Sequence, residues 1–212
     1  MNALISSKRF ALTITLIVLN MLVYVYTAAL SGNPIEISYT VLKQYGQFNQ
    51  YVLEGGYWQL LTAMFVHVDI IHILGNMLFL LIFGLRAEEL FKPLEYILIY
   101  FSSGLAGNLL TLLFGPSMVS AGASGAIFGL FGACIVYLRR AFGQSIIGAL
   151  IYAFFLLMIS SGQGVNNLAH LGGLLVGLFL GYIFATKRKP RTTYKFGYSF
   201  SIKFMEGLRL QP

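Results

Sequence analysis

Between Ala141 and Thr186 the chain runs for 46 residues without a single Lys, Arg, Asp or Glu. A helix crossing the hydrocarbon core of a bilayer needs about 20 apolar residues, so this run holds two crossings. The polar stretch Ser160-Ser161-Gly162-Gln163-Gly164-Val165-Asn166-Asn167 marks the break between them. Four further runs precede it. Phe10 to Leu30 follows Lys8-Arg9, and Ile70 to Leu85 ends at the charged group Arg86, Glu88, Glu89 and Lys92. Pro93 to Phe114 stops at Gly115-Pro116, and Ser124 to Leu138 stops at Arg139-Arg140. Six spans result, and only 10% of the residues are charged while 58% are hydrophobic. A soluble domain carries roughly 25% charge, so an ordinary water-exposed globule is excluded. The expected fold is all-α: a polytopic bundle of six transmembrane helices over residues 1–186, with a long interfacial loop at 31–57 and a basic tail at 187–212.

The loop interleaves Tyr39, Tyr45, Phe48, Tyr51 and Tyr57 with a few polar groups, a composition suited to the headgroup zone. A cleavable signal peptide is the alternative reading of the first run, helped by Thr27-Ala28-Ala29. Its 21 residues exceed the usual apolar stretch of about 7–15, which favours a permanent span. The single Cys134 lies in an apolar run and reads as a small core residue.

Orientation follows from the cations. With the N-terminus inside, Lys8, Arg9, Arg86, Lys92, Arg139, Arg140 and the seven of the tail are cytoplasmic, which leaves Lys43 alone of the 14 outside. That is the pattern of the positive-inside rule. The net charge of +7 is therefore a membrane signal, with the tail attracted to anionic lipid, and no nucleic-acid partner is implied.

In this orientation spans two, four and six all begin on the outer side, so their first turns share one depth. The unusual polar groups fall there: His72 and Asn76, Ser124, and His170. Polar side chains in apolar helices are costly and face the bundle interior. His72 and Asn76, four apart, share a helix face. Ser124 lies in Gly122-Ala123-Ser124-Gly125 ahead of Gly129 and Gly132, and His170 precedes Gly172, Gly173, Gly177 and Gly181. Small residues at such spacing let membrane helices approach closely, which would bring Ser124 to His170. An imidazole that takes a serine proton makes a nucleophile, and Asn, His and helix N-terminal amides are donors for an oxyanion. The chemistry that needs this set is acyl transfer by a Ser–His dyad.

Taken singly, each residue has a plainer reading. A serine among glycines is packing glue, and a lone His or Asn is an interhelical hydrogen bonder. His67 and His72 are five apart, not the four that aligns two metal ligands on a helix, so no metal is expected. Asp69 is read as facing water or headgroups, and no acid offers itself as a third catalytic member. A transporter would carry a charge or a broken helix at membrane depth, whereas spans four to six carry no charge in their cores.

Three motifs in order resemble the rhomboid family of intramembrane serine proteases. They are Trp58 to His67 with His72, Asn76 and Met77; Gly122-Ala123-Ser124-Gly125; and Ala169-His170-Leu171-Gly172-Gly173 with Gly177. The resemblance covers Trp58 to Tyr182. It implies Ser124 as nucleophile, His170 as general base, and His72, Asn76 and the Ser124 amide as the oxyanion hole. It gives supporting roles to His67, Gly122, Gly125, Phe128, Gly173, Gly177 and the carboxylate Glu88. It also implies no cofactor, single-span membrane proteins as substrates cut near the outer face, and a bacterial plasma-membrane setting with cytoplasmic termini. Two positions depart from the family pattern. Gln59 stands where an Arg commonly follows the Trp, and Phe128 stands where many members have a Tyr.

Overall fold

The structure is a computed structural model that describes residues 10–145, 147–148, 150–152 and 165–187. In chain order its elements are α1 (Ala11–Ser31), α2 (Tyr39–Tyr45), β1 (Gln47–Phe48), α3 (Asn49–Leu53), α4 (Gln59–Thr62) and α5 (Ile70–Leu90). Then follow α6 (Pro93–Thr111), extended by a 3₁₀ turn to Phe114, β2 (Val119–Ser120), α7 (Ser124–Ala141) and α8 (Asn167–Thr186). Among the described residues, α1, α5, α6 with its 3₁₀ turn, α7 and α8 are each long and apolar enough to cross a bilayer. The chain is a helical membrane protein. The fifth of the six expected spans, and the basic tail beyond Lys187, fall largely outside the described residues.

Two helices continue past their expected ends. The second span does not stop at Leu85; α5 runs to Leu90, so Arg86, Glu88 and Glu89 form its last turn rather than a connection. Leu, Arg, Ala and Glu are all good helix formers, and Ala87 is buried in the bundle. Glu88 has a task there. The first N–H groups of a helix lack intrahelical partners, and Phe10 offers α1 no side-chain cap. The Glu88 carboxylate accepts from Thr13 N at 2.5 Å and Leu12 N at 3.4 Å, placing a negative charge at the positive end of α1. Near this contact Gly84 passes Thr13 so closely that a Cβ would lie 2.7 Å from its methyl group. Similarly, α7 runs on to Ala141 with Arg139 and Arg140 in its last turn, where cations suit the helix dipole.

The loop between α1 and α5 is built on hydrogen bonds. Its strand β1 pairs antiparallel with β2, Gln47 opposite Ser120 and Phe48 opposite Val119, so it is tied to the segment just ahead of α7. Gln47, Asn49 and Gln59 are fully buried. Gln47 donates to Asn49 Oδ1 and to the Asn108 carbonyl, and Asn49 donates to the carbonyls of Thr111 and Gly115. Gln59 anchors the loop: its Oε1 accepts from Phe48 N at 2.8 Å, and its Nε2 donates to the carbonyls of Lys43 at 2.8 Å and Gln44 at 3.2 Å. A glutamine in this position thus holds both a buried donor and buried acceptors. Gln59→Ala strands those backbone groups and is expected to cost about 2–3 kcal/mol, read as a lowered thermal-unfolding midpoint in detergent.

The core is a seam between α7 and α8. A Cβ on Gly173 would overlap the backbone of Gly125, one on Gly177 that of Gly129, and one on Gly181 that of Ala133. The numbers rise together on both helices, so α7 and α8 run parallel, backbone against backbone. Gly132 also faces the α8 backbone, where a Cβ would lie 3.0 Å from the Leu174 carbonyl oxygen and 3.2 Å from Leu178 N. Helix α6 closes on the same region, with Gly107 against Ala169 and Gly172 against Ala106.

Candidate active site

Parallel packing puts the N-terminal ends of α7 and α8 side by side. Ser124 is the first residue of α7 and His170 lies in the first turn of α8. Directly after Ser124 and three residues after His170, the Gly125–Gly173 contact lets the two backbones touch. The result is a hydrogen bond of 2.9 Å between Ser124 Oγ and His170 Nε2. For the serine hydroxyl to donate, Nε2 carries the lone pair, so the neutral imidazole holds its proton on Nδ1. Phe128, one turn after Ser124, stacks on that imidazole with ring centroids 4.4 Å apart and planes 16° from parallel. Phenylalanine keeps the ring contact here without a hydroxyl, which fixes the plane of the imidazole.

The second group comes from α5. Asp69, read from sequence as facing water or headgroups, is half-buried and also caps this helix: its carboxylate accepts from His72 N at 2.7 Å. Ser, Thr, Asp and Asn are the preferred residues at this position. Asn76 is buried and donates from Nδ2 to the His72 carbonyl at 2.9 Å, and it shares one pocket with Ser124. Phe79, Phe83, Ile127, Phe128 and Phe131 form the remaining wall, so Ser124 sits at an apolar cleft between α5 and α7.

Gly122 explains how His72 reaches the site. Its φ of +133° is closed to most L side chains, and a Cβ there would lie 2.8 Å from His72 Cε1 and 3.1 Å from His72 Nε2. The same Cβ position is 3.8 Å from Ser124 Oγ. The glycine therefore leaves room for an imidazole edge beside the serine. Gly122 N donates to the Ala63 carbonyl at 2.8 Å, fixing this turn against α4.

His67 lies behind His72, fully buried, with ring centroids 5.2 Å apart. Its Nδ1 is 3.3 Å from the Phe65 carbonyl. Burial, with the neighbouring His72 adding to it, pushes the His67 pKa down to about 3 against the opposing pull of that carbonyl, so it is neutral at any physiological pH. Among the described residues no group of His, Cys, Asp and Glu is arranged to hold a metal ion.

The structure thus brings Ser124, His170, His72, Asn76, Gly122, Gly125 and Phe128 together, with His67 in the layer behind. Gly173 and Gly177 lie along the seam below. Glu88 lies elsewhere, at the start of α1. Sequence reasoning named Phe128 but missed the other pocket phenylalanines, Phe79, Phe83 and Phe131. It also missed Asn166, whose place ahead of an apolar run is a helix-capping signal.

Comparison with known proteins gives the family. The Rhomboid domain family model matches residues 54–187. RHOMBOID-like protein 6, mitochondrial, of Arabidopsis thaliana is 42% identical over 132 residues, 59% of this chain and 43% of that protein. Putative rhomboid protease YdcA of Bacillus subtilis (strain 168) is 33% identical over 150 residues, 68% of this chain and 75% of that protein. Rhomboid protease GluP of the same organism is 34% identical over 137 residues, 62% of this chain and 27% of that protein. The chain spans less than half the length of the Arabidopsis relatives it matches. With the family model running from ahead of α4 through the serine turn to the end of the histidine helix, this chain belongs to the rhomboid family.

Proposed function

We propose that this protein is an intramembrane serine endopeptidase that hydrolyses peptide bonds in or next to the transmembrane segments of single-span membrane proteins. The observation that carries the reading is the 2.9 Å hydrogen bond from Ser124 Oγ to His170 Nε2. His170 takes the hydroxyl proton as Oγ bonds to the substrate carbonyl carbon. The carbonyl oxygen, now negative, is met by the Ser124 backbone N–H at the start of α7 and by the side chains of His72 and Asn76. His170 then gives its proton to the leaving amine, and the C–N bond breaks. In the second half a water molecule loses a proton to His170 and attacks the acyl carbon, which releases the carboxylate product and restores the serine. No cofactor enters this cycle.

The site lies at the starts of α5, α7 and α8, which the cation distribution puts on the extracytoplasmic side, with both termini cytoplasmic and the plasma membrane of a bacterium as the setting. Water and substrate then meet just below the outer surface. A helix keeps its peptide carbonyls in hydrogen bonds, so the substrate unwinds locally before Ser124 can reach one.

Purified protein in liposomes, offered a fluorescently tagged single-span substrate, is expected to release two fragments cut near the outer end of the span. An intact substrate would refute the reading. Within the same assay Asn76→Ala and His72→Ala are each expected to lower kcat by about 10²–10³-fold, the usual effect of losing one oxyanion donor, with KM little changed. Wild-type kcat in both would remove these two residues from the oxyanion hole.

A further inference from the structure

We infer that Asn166 is a positioning residue that sets the separation of Ser124 and His170, an inference that rests on the hydrolytic reading above. The glycine seam holds α7 and α8 together from Gly125 and Gly173 downward. Ser124 directly precedes Gly125, and His170 lies between Gly173 and Ala169, whose carbonyl faces Gly125 at 3.2 Å from its Cβ position. Both reacting side chains project from the first turns of their helices, whose N–H groups have no intrahelical partner and need a cap.

Asn166 spans those ends. Its Oδ1 accepts from Ala169 N at 3.0 Å, capping α8 one residue before His170, and its own carbonyl accepts from His170 N at 3.2 Å. Its Nδ2 donates to Ser120 Oγ at 2.8 Å and to Thr111 Oγ1 at 2.7 Å. Ser120 lies four residues ahead of Ser124 on β2, which is itself paired with β1. Thr111 ends α6 and passes its own hydroxyl proton to the Gly107 carbonyl at 2.9 Å, so its oxygen is left free to accept. Both amide hydrogens and the amide oxygen are thus engaged, each on a different segment. One side chain joins the turn that presents the base to the strand that leads into the nucleophile.

The consequence concerns the chemical step more than substrate binding. Serine and imidazole must meet at hydrogen-bond distance for proton transfer, and a displacement near 1 Å costs about 100-fold in rate. Asn166→Ala removes the cap and both bridges. Asn166→Asp keeps the cap and accepts from the Ser120 hydroxyl. Ser120→Ala removes one bridge and leaves the cap of α8 intact.

The test measures kcat and KM on a tagged single-span substrate, and the rate of fluorophosphonate labelling of Ser124, for the full chain and these three variants. Asn166→Ala is expected to lower kcat and labelling about 10–100-fold with KM unchanged. Asn166→Asp is expected to recover most of the loss, and Ser120→Ala to fall between wild type and Asn166→Ala. Should Asn166→Ala not fold, Ser120→Ala decides: reduced kcat supports the role and wild-type kcat overturns it. Wild-type kcat in a folded Asn166→Ala, a loss confined to KM, or an Asp variant as impaired as Ala would each overturn it while leaving the hydrolytic reading intact. A wild-type protein that neither labels nor cleaves would overturn both.

Discussion

Ser124→Ala is expected to abolish cleavage, lowering kcat by about 10⁴–10⁶-fold, with His170→Ala falling to the same level and the double variant no lower than either. The equality is the informative part. If the serine is a nucleophile only because the imidazole takes its proton, removing either partner leaves nothing for the other to do, so the losses do not add. The residual rate then belongs to the oxyanion donors of α5 and α7. Ser124→Ala deletes one oxygen at the wall of a pocket and should leave the thermal-unfolding midpoint within a few degrees of wild type. A Ser124→Ala protein that cleaves at an unchanged rate would remove the serine from the mechanism.

The second large effect is expected from Gly173→Ala, a change of one methyl group. A Cβ at this position overlaps the Gly125 carbonyl, and a backbone cannot swing aside as a flexible side chain does. The helices must separate, at a cost of about 1–3 kcal/mol in overpacking. They separate at the residue next to Ser124 and within a turn of His170, so the 2.9 Å hydrogen bond lengthens with them, and activity should fall about 100-fold. Gly75 on α5 is the control. A Cβ there meets nothing within 4 Å, and Gly75→Ala should keep or raise stability by about 0.5–1 kcal/mol through helix propensity. Unfolding midpoints and fluorophosphonate labelling rates of the two variants would separate a packing effect from a general intolerance of alanine.

Much of this was legible in the chain because membrane helices announce themselves by what they lack. Apolar runs with their charged, Gly-Pro and polar breaks mark α1, α6 and α8 within a few residues, and orientation alone puts His72, Ser124 and His170 at a common level. The small residues of α7 and α8 told that these helices meet, since a backbone approach needs them. Their register was less legible. Gly129 and Gly132 are both candidates by spacing, and the structure seats Gly129 against the backbone of Gly177 and Gly132 against that of Leu174 and Leu178. The end of α5 was misjudged because charge looked like a terminus. Glu88 is charged for the sake of α1, which starts 77 residues earlier, and no local pattern reports such a partner.

The loop was the least readable part. Strands of two residues have no period to detect, so the β1–β2 pairing left no trace in the hydropathy. Gln59 departs from the arginine common in the family, yet its amide both donates and accepts, and it meets a donor in Phe48 N and acceptors in Lys43 and Gln44. Asp69 was read as solvated from its charge, although its place directly before α5 is a capping position. Asn166 belongs with it: the polar run ahead of α8 reads as a break between spans, and the hydrogen bonds of its amide to Thr111 and Ser120 appear only when the chain is folded.

The account depends on Ser124 being a nucleophile that His170 activates. Treating the purified protein with a fluorophosphonate and mapping the adduct by peptide mass spectrometry tests this most directly. The account predicts a single modified residue, Ser124, in the wild-type protein and none in His170→Ala under the same conditions. An adduct on another serine, or equal labelling of Ser124 without His170, would contradict it.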